Sequence, residues 1–266
     1  MFVEDAMYKI EIESDIKLDY NASEAFKALR ANVEFCGKEI SVIAATSCVP
    51  NEGKSVTTYQ LAKTFAASGK KVLYVDADMR KSVFKSRFGV NGKNCGLSHY
   101  LSGLVELEEA IGVTSFQGEQ SDYAQMDDLN TYEIHMIQAG AVPPNPSELL
   151  GNERFSKLLA YGKEKYDYVI IDTPPIGAVI DAAVIAQQCD GVIIICKNSS
   201  ISYRLAQKVT EQLRMARCRI LGVVYTMVAL SGKGSGKYGK GYYGSYYGGY
   251  YGGYYGGYYG KKESEE

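Results

Sequence analysis

Short runs of consecutive apolar residues recur along most of the chain and predict its strands. They lie at residues 40–45, 71–75, 168–171, 191–196 and 220–224. Within each run the apolar residues are continuous rather than alternating with polar ones, which is typical of strands buried on both faces. Such strands occur in parallel sheets that are covered by helices. We therefore expect an α/β fold with three α/β/α layers and a mainly parallel sheet.

Amphipathic stretches between these runs predict the helices. They cover residues 23–35, 54–68, 148–161, 181–188 and 202–216. In the first stretch, Phe26, Leu29 and Val33 recur at spacings of three and four residues and form one apolar face. Ser23 is the expected N-cap of that helix. The polar segment 112–130 is expected to be a surface excursion.

The two ends of the chain differ from this central pattern. Residues 1–20 mix charged and apolar residues without a clear period, and we interpret them as an N-terminal arm before a domain at 21–230. Residues 231–266 are dominated by Gly, Tyr and Lys and offer no aliphatic side chain to a core, so we expect a disordered tail. This tail carries tyrosine doublets at a spacing of four residues: Tyr242, Tyr243, Tyr246, Tyr247, Tyr250, Tyr251, Tyr254, Tyr255, Tyr258 and Tyr259.

Composition limits the classes of function. The chain has 29 basic and 31 acidic residues and a net charge of −2, which argues against a general nucleic-acid-binding protein. No stretch of about 18 apolar residues predicts a membrane span, and the acidic N-terminus does not resemble a signal peptide. The six cysteines form no C-x-x-C pair, so we expect free thiols and neither a zinc site nor a disulfide framework. His99 and His135 are expected in polar loops.

A phosphate-binding motif follows the first predicted strand. Gly53-Lys54-Ser55 ends the P-loop pattern G-x-x-x-x-G-K-[ST], in which Cys48 stands at the position of the first glycine. In such a loop backbone N–H groups face the phosphates, the lysine neutralises phosphate charge and the serine hydroxyl binds Mg²⁺. The nucleotide-binding residues that this motif predicts are Pro50, Asn51, Glu52, Gly53, Lys54, Ser55 and Val56.

Acidic residues end two further predicted strands. Asp76 and Asp78 are two residues apart in an extended segment, so both side chains can face one crevice. Asp172 ends an apolar run and precedes Thr-Pro-Pro, as in a Walker B motif, whose carboxylate holds the Mg²⁺ hydration shell. Ligands of open α/β sheets bind at the carboxyl ends of the strands. We therefore expect these three carboxylates to join the phosphate loop in one nucleotide–Mg²⁺ site.

In this order the motifs resemble those of the bacterial tyrosine kinases. The resemblance is to the soluble type that works with a separate transmembrane adaptor in capsule and exopolysaccharide synthesis, and it covers residues 20–266. It rests on the phosphate loop, on VLYVDADMR, VIIDTPP, GLSHYLSG and AGAVPPNPSELL, and on the tyrosine-rich tail. It implies a P-loop NTPase fold and an ATP-dependent autokinase that phosphorylates its tail tyrosines in trans.

The resemblance also implies roles for the site residues. Lys54 and Mg²⁺ stabilise the charge that spreads over the transferred phosphoryl group. Ser55 binds the metal directly, whereas Asp78 and Asp172 hold its water ligands. Asp76 accepts the phenolic proton of the tyrosine. The adenine is expected near Thr226, and ATP rather than GTP as the donor is implied by the family alone.

Assembly and partners are implied in the same way. Glu24, Lys27 and Arg30 match the family's ring-forming motif E-x-x-R-x-x-R on the first predicted helix. The family forms a head-to-tail homo-oligomeric ring, with eight subunits as the expected number. Its partners are the cytoplasmic tail of a transmembrane adaptor and a cognate tyrosine phosphatase, and nucleic acid is not among them. The protein is then expected to be cytoplasmic and to be recruited to the inner face of the membrane by the adaptor.

Three positions depart from related patterns. Lys27 replaces an arginine of the ring motif and lacks its bidentate fork. Thr226 stands where many family members have asparagine. Val49 occupies the place of the signature lysine of partitioning ATPases, which favours the kinase. Two alternatives remain open: a P-loop ATPase that acts as a positioning or assembly switch, and a non-catalytic nucleotide-binding module with an adhesive tail.

Overall fold

The protein is described here by a computed structural model that covers residues 7–92, 95–117, 131–198 and 201–228. Each predicted strand is found to within two residues at either end. In chain order the strands of the described part are β1 (Tyr8–Lys9), β2 (Glu11–Ile12), β3 (Val42–Ser47), β4 (Val72–Asp76), β5 (Val90–Asn91), β6 (Gly112–Gln117), β7 (Thr131–Ile137), β8 (Tyr168–Asp172), β9 (Gly191–Lys197) and β10 (Ile220–Thr226).

The helices lie between these strands. In the described part they are α1 (Tyr20–Glu34), α2 (Lys54–Ala66), α3 (Phe84–Phe88), α4 (Leu97–Leu101), α5 (Leu107–Ala110), α6 (Pro146–Leu150), α7 (Glu153–Lys165), α8 (Asp181–Ala186) and α9 (Tyr203–Met215). Helix α2 follows the phosphate loop directly, and Lys54 is its first residue.

One sheet forms the middle of the fold. Its eight strands among the described residues run in the order β1-β6-β7-β4-β8-β3-β9-β10. The pairings are parallel except for β6 with β7, which is antiparallel. The expected mainly parallel sheet is therefore confirmed. Strands β4, β8 and β3 are neighbours at its centre, which brings the ends of the three predicted motifs together.

The sheet is covered on both faces. Along β3, Val42 and Ala44 pack into one apolar layer with Leu158 of α7, whereas Ile43 packs into a second layer with Phe65 of α2. Strands buried on both sides need apolar residues at every position, which explains why their sequences are continuous rather than alternating. The three-layer α/β/α architecture is confirmed.

The structure corrects several local predictions. Helix α1 is capped by Asp19, whose side chain accepts a hydrogen bond from the Ala22 N–H, rather than by Ser23. The single helix expected at 148–161 is two helices, α6 and α7, because the Asn152 side chain caps the second one. The polar segment expected as a surface excursion begins with strand β6, which lies between β1 and β7. Several of its positions are only partly buried or exposed, which accommodates polar side chains in a strand.

The N-terminal arm and the histidines also differ from expectation. Within residues 1–20, the short strand β1 joins the main sheet beside β6, and β2 pairs with β5. His99 lies in α4 and accepts a hydrogen bond from the Gly96 N–H. His135 lies in β7, and its Nδ1 is 2.8 Å from the Tyr166 hydroxyl. The prediction of polar loops was therefore wrong for both histidines. The His99 ring is hydrogen-bonded to the backbone at the start of its own helix, and the His135 ring lies next to a tyrosine outside its strand.

Candidate nucleotide site

The phosphate loop connects β3 to α2 and has an unusual backbone. Gly53, the N-cap of α2, has φ 82°, and Asn51 has φ 66°. Left-handed backbone is favourable for glycine and is tolerated best by asparagine among the other residues. The N–H groups in the first turn of a helix such as α2 have no acceptor within the helix, and such groups favour a phosphate group.

The lysine of the loop contacts the Walker B carboxylate. The Lys54 Nζ lies 2.7 Å from Asp172 Oδ1 and 3.4 Å from the Ser55 hydroxyl. Lys54 is 8% exposed and Asp172 is 1% exposed. The pair is possible because β3 and β8 are neighbours in register, with Ala45 opposite Asp172. Two motifs that are more than a hundred residues apart in sequence therefore meet in one buried site.

The two other aspartates lie beside this pair. Asp76, at the end of β4, is directly opposite Asp172 in the register of β4 and β8 and is 2% exposed. One Asp76 oxygen accepts a hydrogen bond from the Asp78 N–H at 3.2 Å, and the other accepts one from the Ser82 hydroxyl. Asp78 is half-buried and accepts from the Lys81 N–H. The structure thus brings together all three predicted carboxylates and the lysine.

The electrostatics of the site follow from this crowding. Burial, together with the negative charge of Asp172, raises the pKa of Asp76 to about 8. Burial also raises the pKa of Asp78, although Lys54 opposes that shift. For Lys54, burial lowers the pKa, but the neighbouring carboxylates outweigh it and the net shift is upward. Three carboxylates around one ammonium group leave an excess of negative charge.

The donor set fits a magnesium ion bound with a nucleotide. The Ser55 hydroxyl and the carboxylates of Asp78 and Asp172 are hard oxygen ligands, which Mg²⁺ prefers. A cation also favours the charged form of carboxylates that otherwise repel one another. The sequence predicted each of these residues because each belongs to a local motif at the end of a strand.

Two of the predicted nucleotide-binding residues, Glu52 and Thr226, form hydrogen bonds that hold the loop in place. The buried Glu52 carboxylate accepts hydrogen bonds from the Val49 N–H at 2.9 Å and from the Lys197 N–H at 3.1 Å. The Thr226 hydroxyl donates to the Glu52 carbonyl at 2.7 Å. These bonds tie the loop to the ends of β9 and β10. The Val56 side chain packs against the core beneath α2.

Replacing Glu52 by alanine should therefore weaken both folding and nucleotide binding. Its removal leaves two backbone N–H groups without their acceptor, and each such loss costs about 1–3 kcal/mol. We expect a lower urea midpoint and a weaker affinity for a fluorescent ATP analogue. Glu153→Ala is the matched control, because that side chain is 80% exposed at the surface of α7. Equal affinities of the two variants would contradict the role assigned to Glu52.

An ion pair that the sequence analysis missed lies near Asp78. The Arg80 guanidinium donates from Nε and Nη2 to the two oxygens of Asp181, at 2.7 and 3.0 Å. The Ser147 hydroxyl is 2.9 Å from Arg80 Nη2 and donates to Asp181 Oδ1 at 2.6 Å. These contacts join the segment after β4 to α6 and α8. The sequence shows Asp181 as a charged residue at the start of α8, but it gives no indication of its partner, which is 101 positions away.

Replacing Arg80 alone should destabilise the fold more than replacing Arg80 and Asp181 together. Asp181 is 1% exposed, and Arg80→Met would leave its carboxylate buried without a cation. We expect a cost of about 2 kcal/mol, below the range for fully buried pairs because Arg80 is partly exposed. Arg80→Met/Asp181→Asn should recover part of it in chemical denaturation. A double variant less stable than the single one would contradict this prediction.

The segment after β8 also contacts the phosphate loop closely. Gly177 lies against the Cys48 carbonyl, at a distance that a Cβ atom could not occupy without movement of the backbone. The Ile176 N–H donates to the Ser47 carbonyl at 3.0 Å, and the Thr46 hydroxyl donates to the Pro174 carbonyl at 3.0 Å. The exit of the Walker B strand therefore determines where the phosphate loop begins.

The residues predicted for assembly lie on α1, away from the phosphate loop in sequence. Glu24 and Lys27 are exposed and form an ion pair within the helix at 2.8 Å. The Nε atom of Arg30 is buried without a hydrogen-bond partner among the described residues. Val33 is 3% exposed and Leu29 packs against the same core layer, as expected, whereas Phe26 is partly buried and is not among the described residues of that layer. The ten tail tyrosines lie outside the described residues.

Together, the fold and the site define a P-loop nucleotide-binding protein. The family model described as an AAA domain matches residues 38–220. The chain is 37% identical over 234 residues to a tyrosine-protein kinase, CpsD, of Streptococcus agalactiae, covering 88% of this chain and 96% of that protein. It is 33% identical to the tyrosine-protein kinase YwqD of Bacillus subtilis, covering 79% and 82% of the two chains.

A solved structure gives the same result. The kinase domain of the Escherichia coli tyrosine kinase ETK superposes with a TM-score of 0.68 at 32% identity, covering 82% of this chain and 80% of that one. The chain belongs to the bacterial tyrosine-protein kinases of the capsule and exopolysaccharide type. Among the described residues, no helix has the length and apolar character that a membrane crossing requires.

Proposed function

We propose that this kinase transfers the γ-phosphoryl group of ATP to the tail tyrosines of a neighbouring copy. The observation that carries the proposal is the contact of Lys54 with Asp172 at 2.7 Å beside the Asp76 and Asp78 carboxylates. This arrangement supplies a cation and metal ligands at one point. The tail, residues 231–266, supplies eleven tyrosines, ten of them in five doublets, in a glycine-rich segment that can present each phenol in an extended form.

Each site residue has a role in this reaction. Lys54 and the N–H groups at the start of α2 bind the phosphates and stabilise the negative charge of the transferred group. Ser55, Asp78 and Asp172 would hold Mg²⁺, which supplies further charge stabilisation when bound. Asp76 accepts the proton of the tyrosine hydroxyl. Pro50 and Asn51 shape the loop around the phosphates, and Thr226 holds the loop from behind while lying near the base.

Transfer between subunits is favoured by the reach of the tail. A flexible chain spans about 5–6 Å × √n, or roughly 30 Å for the tail, and on the order of 100 Å when stretched. This reach is sufficient for a neighbouring subunit's site. We propose that Glu24, Lys27 and Arg30 form the contact that holds such neighbours in a ring, with the cytoplasmic segment of a membrane adaptor as activator and a tyrosine phosphatase as the opposing enzyme.

The test of the reaction uses labelled ATP, Mg²⁺ and an adaptor peptide with the full chain. Label on the tail tyrosines supports the proposal. Release of free phosphate alone would favour a positioning ATPase, and no turnover would favour a binding module. For the trans step, a chain with all eleven tail tyrosines changed to phenylalanine is mixed with Lys54→Met. Label in the Lys54→Met chain supports transfer between subunits, whereas its absence contradicts it.

Phosphorylation should shift the oligomer towards monomer. Each phosphotyrosine adds about −1.5 to −2 charges, so ten would add on the order of −15 to −20 to each subunit. Repulsion of this size should separate subunits that are held by polar contacts. Light scattering before and after phosphatase treatment measures the shift, and Arg30→Ala should mimic it without phosphate. An unchanged mass after complete dephosphorylation would count against the prediction.

A further inference from the structure

Two cysteines occupy neighbouring positions directly beneath the phosphate loop. The last register pair of β3 and β9 is Ser47 with Ile195; Cys48 is the first residue after β3, and Cys196 is the next residue of β9. Neighbouring strands lie about 4.8 Å apart. That spacing falls within the Cα separations of about 4.4–6.8 Å at which disulfides form.

The two thiols also point to the same side of the sheet. Cys48 and Cys196 belong to one apolar layer with Ala44, Val192 and Ile194, the alternate residues of the same two strands. Both cysteines are reduced and buried. The neighbouring Cys48 thiol lowers the pKa of the Cys196 thiol, although burial opposes that shift. The two side chains therefore share one layer, although the spacing of the cysteines in sequence did not suggest it.

Backbone groups at and next to both cysteines form contacts that determine the path of the phosphate loop. The Cys48 carbonyl lies against Gly177. The residue after Cys196, Lys197, donates its N–H to the Glu52 carboxylate, and the Cys196 carbonyl is 3.5 Å from the Thr226 hydroxyl. Contraction of the two sulfurs from van der Waals contact to a bond about 2.05 Å long would shift both side chains and the backbone that carries these contacts.

We propose that Cys48 and Cys196 form a peroxide-sensitive thiol pair whose disulfide displaces the phosphate loop and weakens nucleotide binding. Loop residues next to the pair are partly exposed, with Asn51 at the surface, so a molecule as small as hydrogen peroxide has a short path to it. The inference concerns nucleotide binding and does not require the kinase reaction.

The chemistry balances with hydrogen peroxide as the oxidant. The Cys196 thiolate attacks one peroxide oxygen, the O–O bond breaks, and a sulfenic acid and one water form after proton transfer. The Cys48 sulfur then attacks the sulfenic sulfur, the S–S bond forms and a second water leaves. The two thiols lose two electrons, and the peroxide gains them.

The experiment exposes the reduced full chain to hydrogen peroxide, removes the peroxide and measures two properties. Peptide mapping without reductant should find Cys48 linked to Cys196. The affinity for a fluorescent ATP analogue should fall about tenfold or more, because small displacements of binding groups have large effects, and dithiothreitol should restore it. If no linked peptide forms, or if the linked protein binds nucleotide unchanged, the inference is wrong.

A pair of matched variants separates this thiol pair from general oxidation. Cys196→Ser should bind nucleotide like the parent chain and should keep its affinity after peroxide treatment. Cys36→Ser changes a partly exposed cysteine next to α1 and should remain as sensitive as the parent chain. Peroxide sensitivity in Cys196→Ser equal to that of Cys36→Ser would overturn the inference. Should Cys196→Ser fail to fold, the peptide map of the parent chain decides alone.

Discussion

Lys54→Met should reduce phosphorylation of the tail tyrosines by about 10²-fold or more, because it removes the buried cation that we propose stabilises the transferred phosphoryl group. The same change leaves Asp172 buried without its partner at 2.7 Å. Loss of one partner of a buried pair costs about 3–5 kcal/mol. We therefore expect a folded but less stable protein. Phosphotyrosine on the purified variant and its urea midpoint are the two measurements.

A double variant separates the chemical role of Lys54 from its structural role. Lys54→Met/Asp172→Asn removes both charges and should recover much of the lost stability, since the buried carboxylate no longer lacks a cation. It should not recover phosphorylation. Phosphotyrosine that persists in Lys54→Met made in a host without other tyrosine kinases would refute the proposed mechanism, whatever the stability of the variant.

Gly177→Ala should weaken nucleotide binding by about tenfold or more, although Gly177 belongs to none of the predicted motif positions. A Cβ atom at this position would overlap the Cys48 carbonyl, which is backbone and cannot rotate away. The start of the phosphate loop must therefore move. Overpacking of this kind also costs about 1–3 kcal/mol of stability. Titration with a fluorescent ATP analogue measures the first effect, and chemical denaturation measures the second.

Gly222→Ala is the matched control for this prediction. Gly222 lies in β10, and a Cβ atom there would have no neighbour within 4 Å. Alanine in a strand also restricts the unfolded chain more than glycine does. We expect unchanged nucleotide affinity and equal or slightly higher stability. If Gly177→Ala bound nucleotide as tightly as Gly222→Ala, the contact between Gly177 and the loop would not be needed for nucleotide binding.

The carboxylate site shows what local patterns can predict. Asp76 and Asp172 each end a continuous apolar run, and Lys54 follows the loop after another. Parallel strands place their carboxyl ends at one edge of the sheet. Their convergence therefore required only the fold class. The order of the strands was not predictable in the same way. That Asp76 lies directly opposite Asp172 depends on β4 and β8 being neighbours in register.

Sequence alone determined the continuous strands, the three-layer class, the phosphate loop, the aspartates and the tyrosine cluster, because each depends on residues within one short segment. The tertiary structure alone decided which distant residues touch: Glu52 with Lys197, Arg80 with Asp181, and Gly177 with Cys48. It also placed Cys48 and Cys196 in one apolar layer. These contacts depend on strand order and register, which are set by the packing of the whole sheet. No local pattern of apolar and polar residues carries that information.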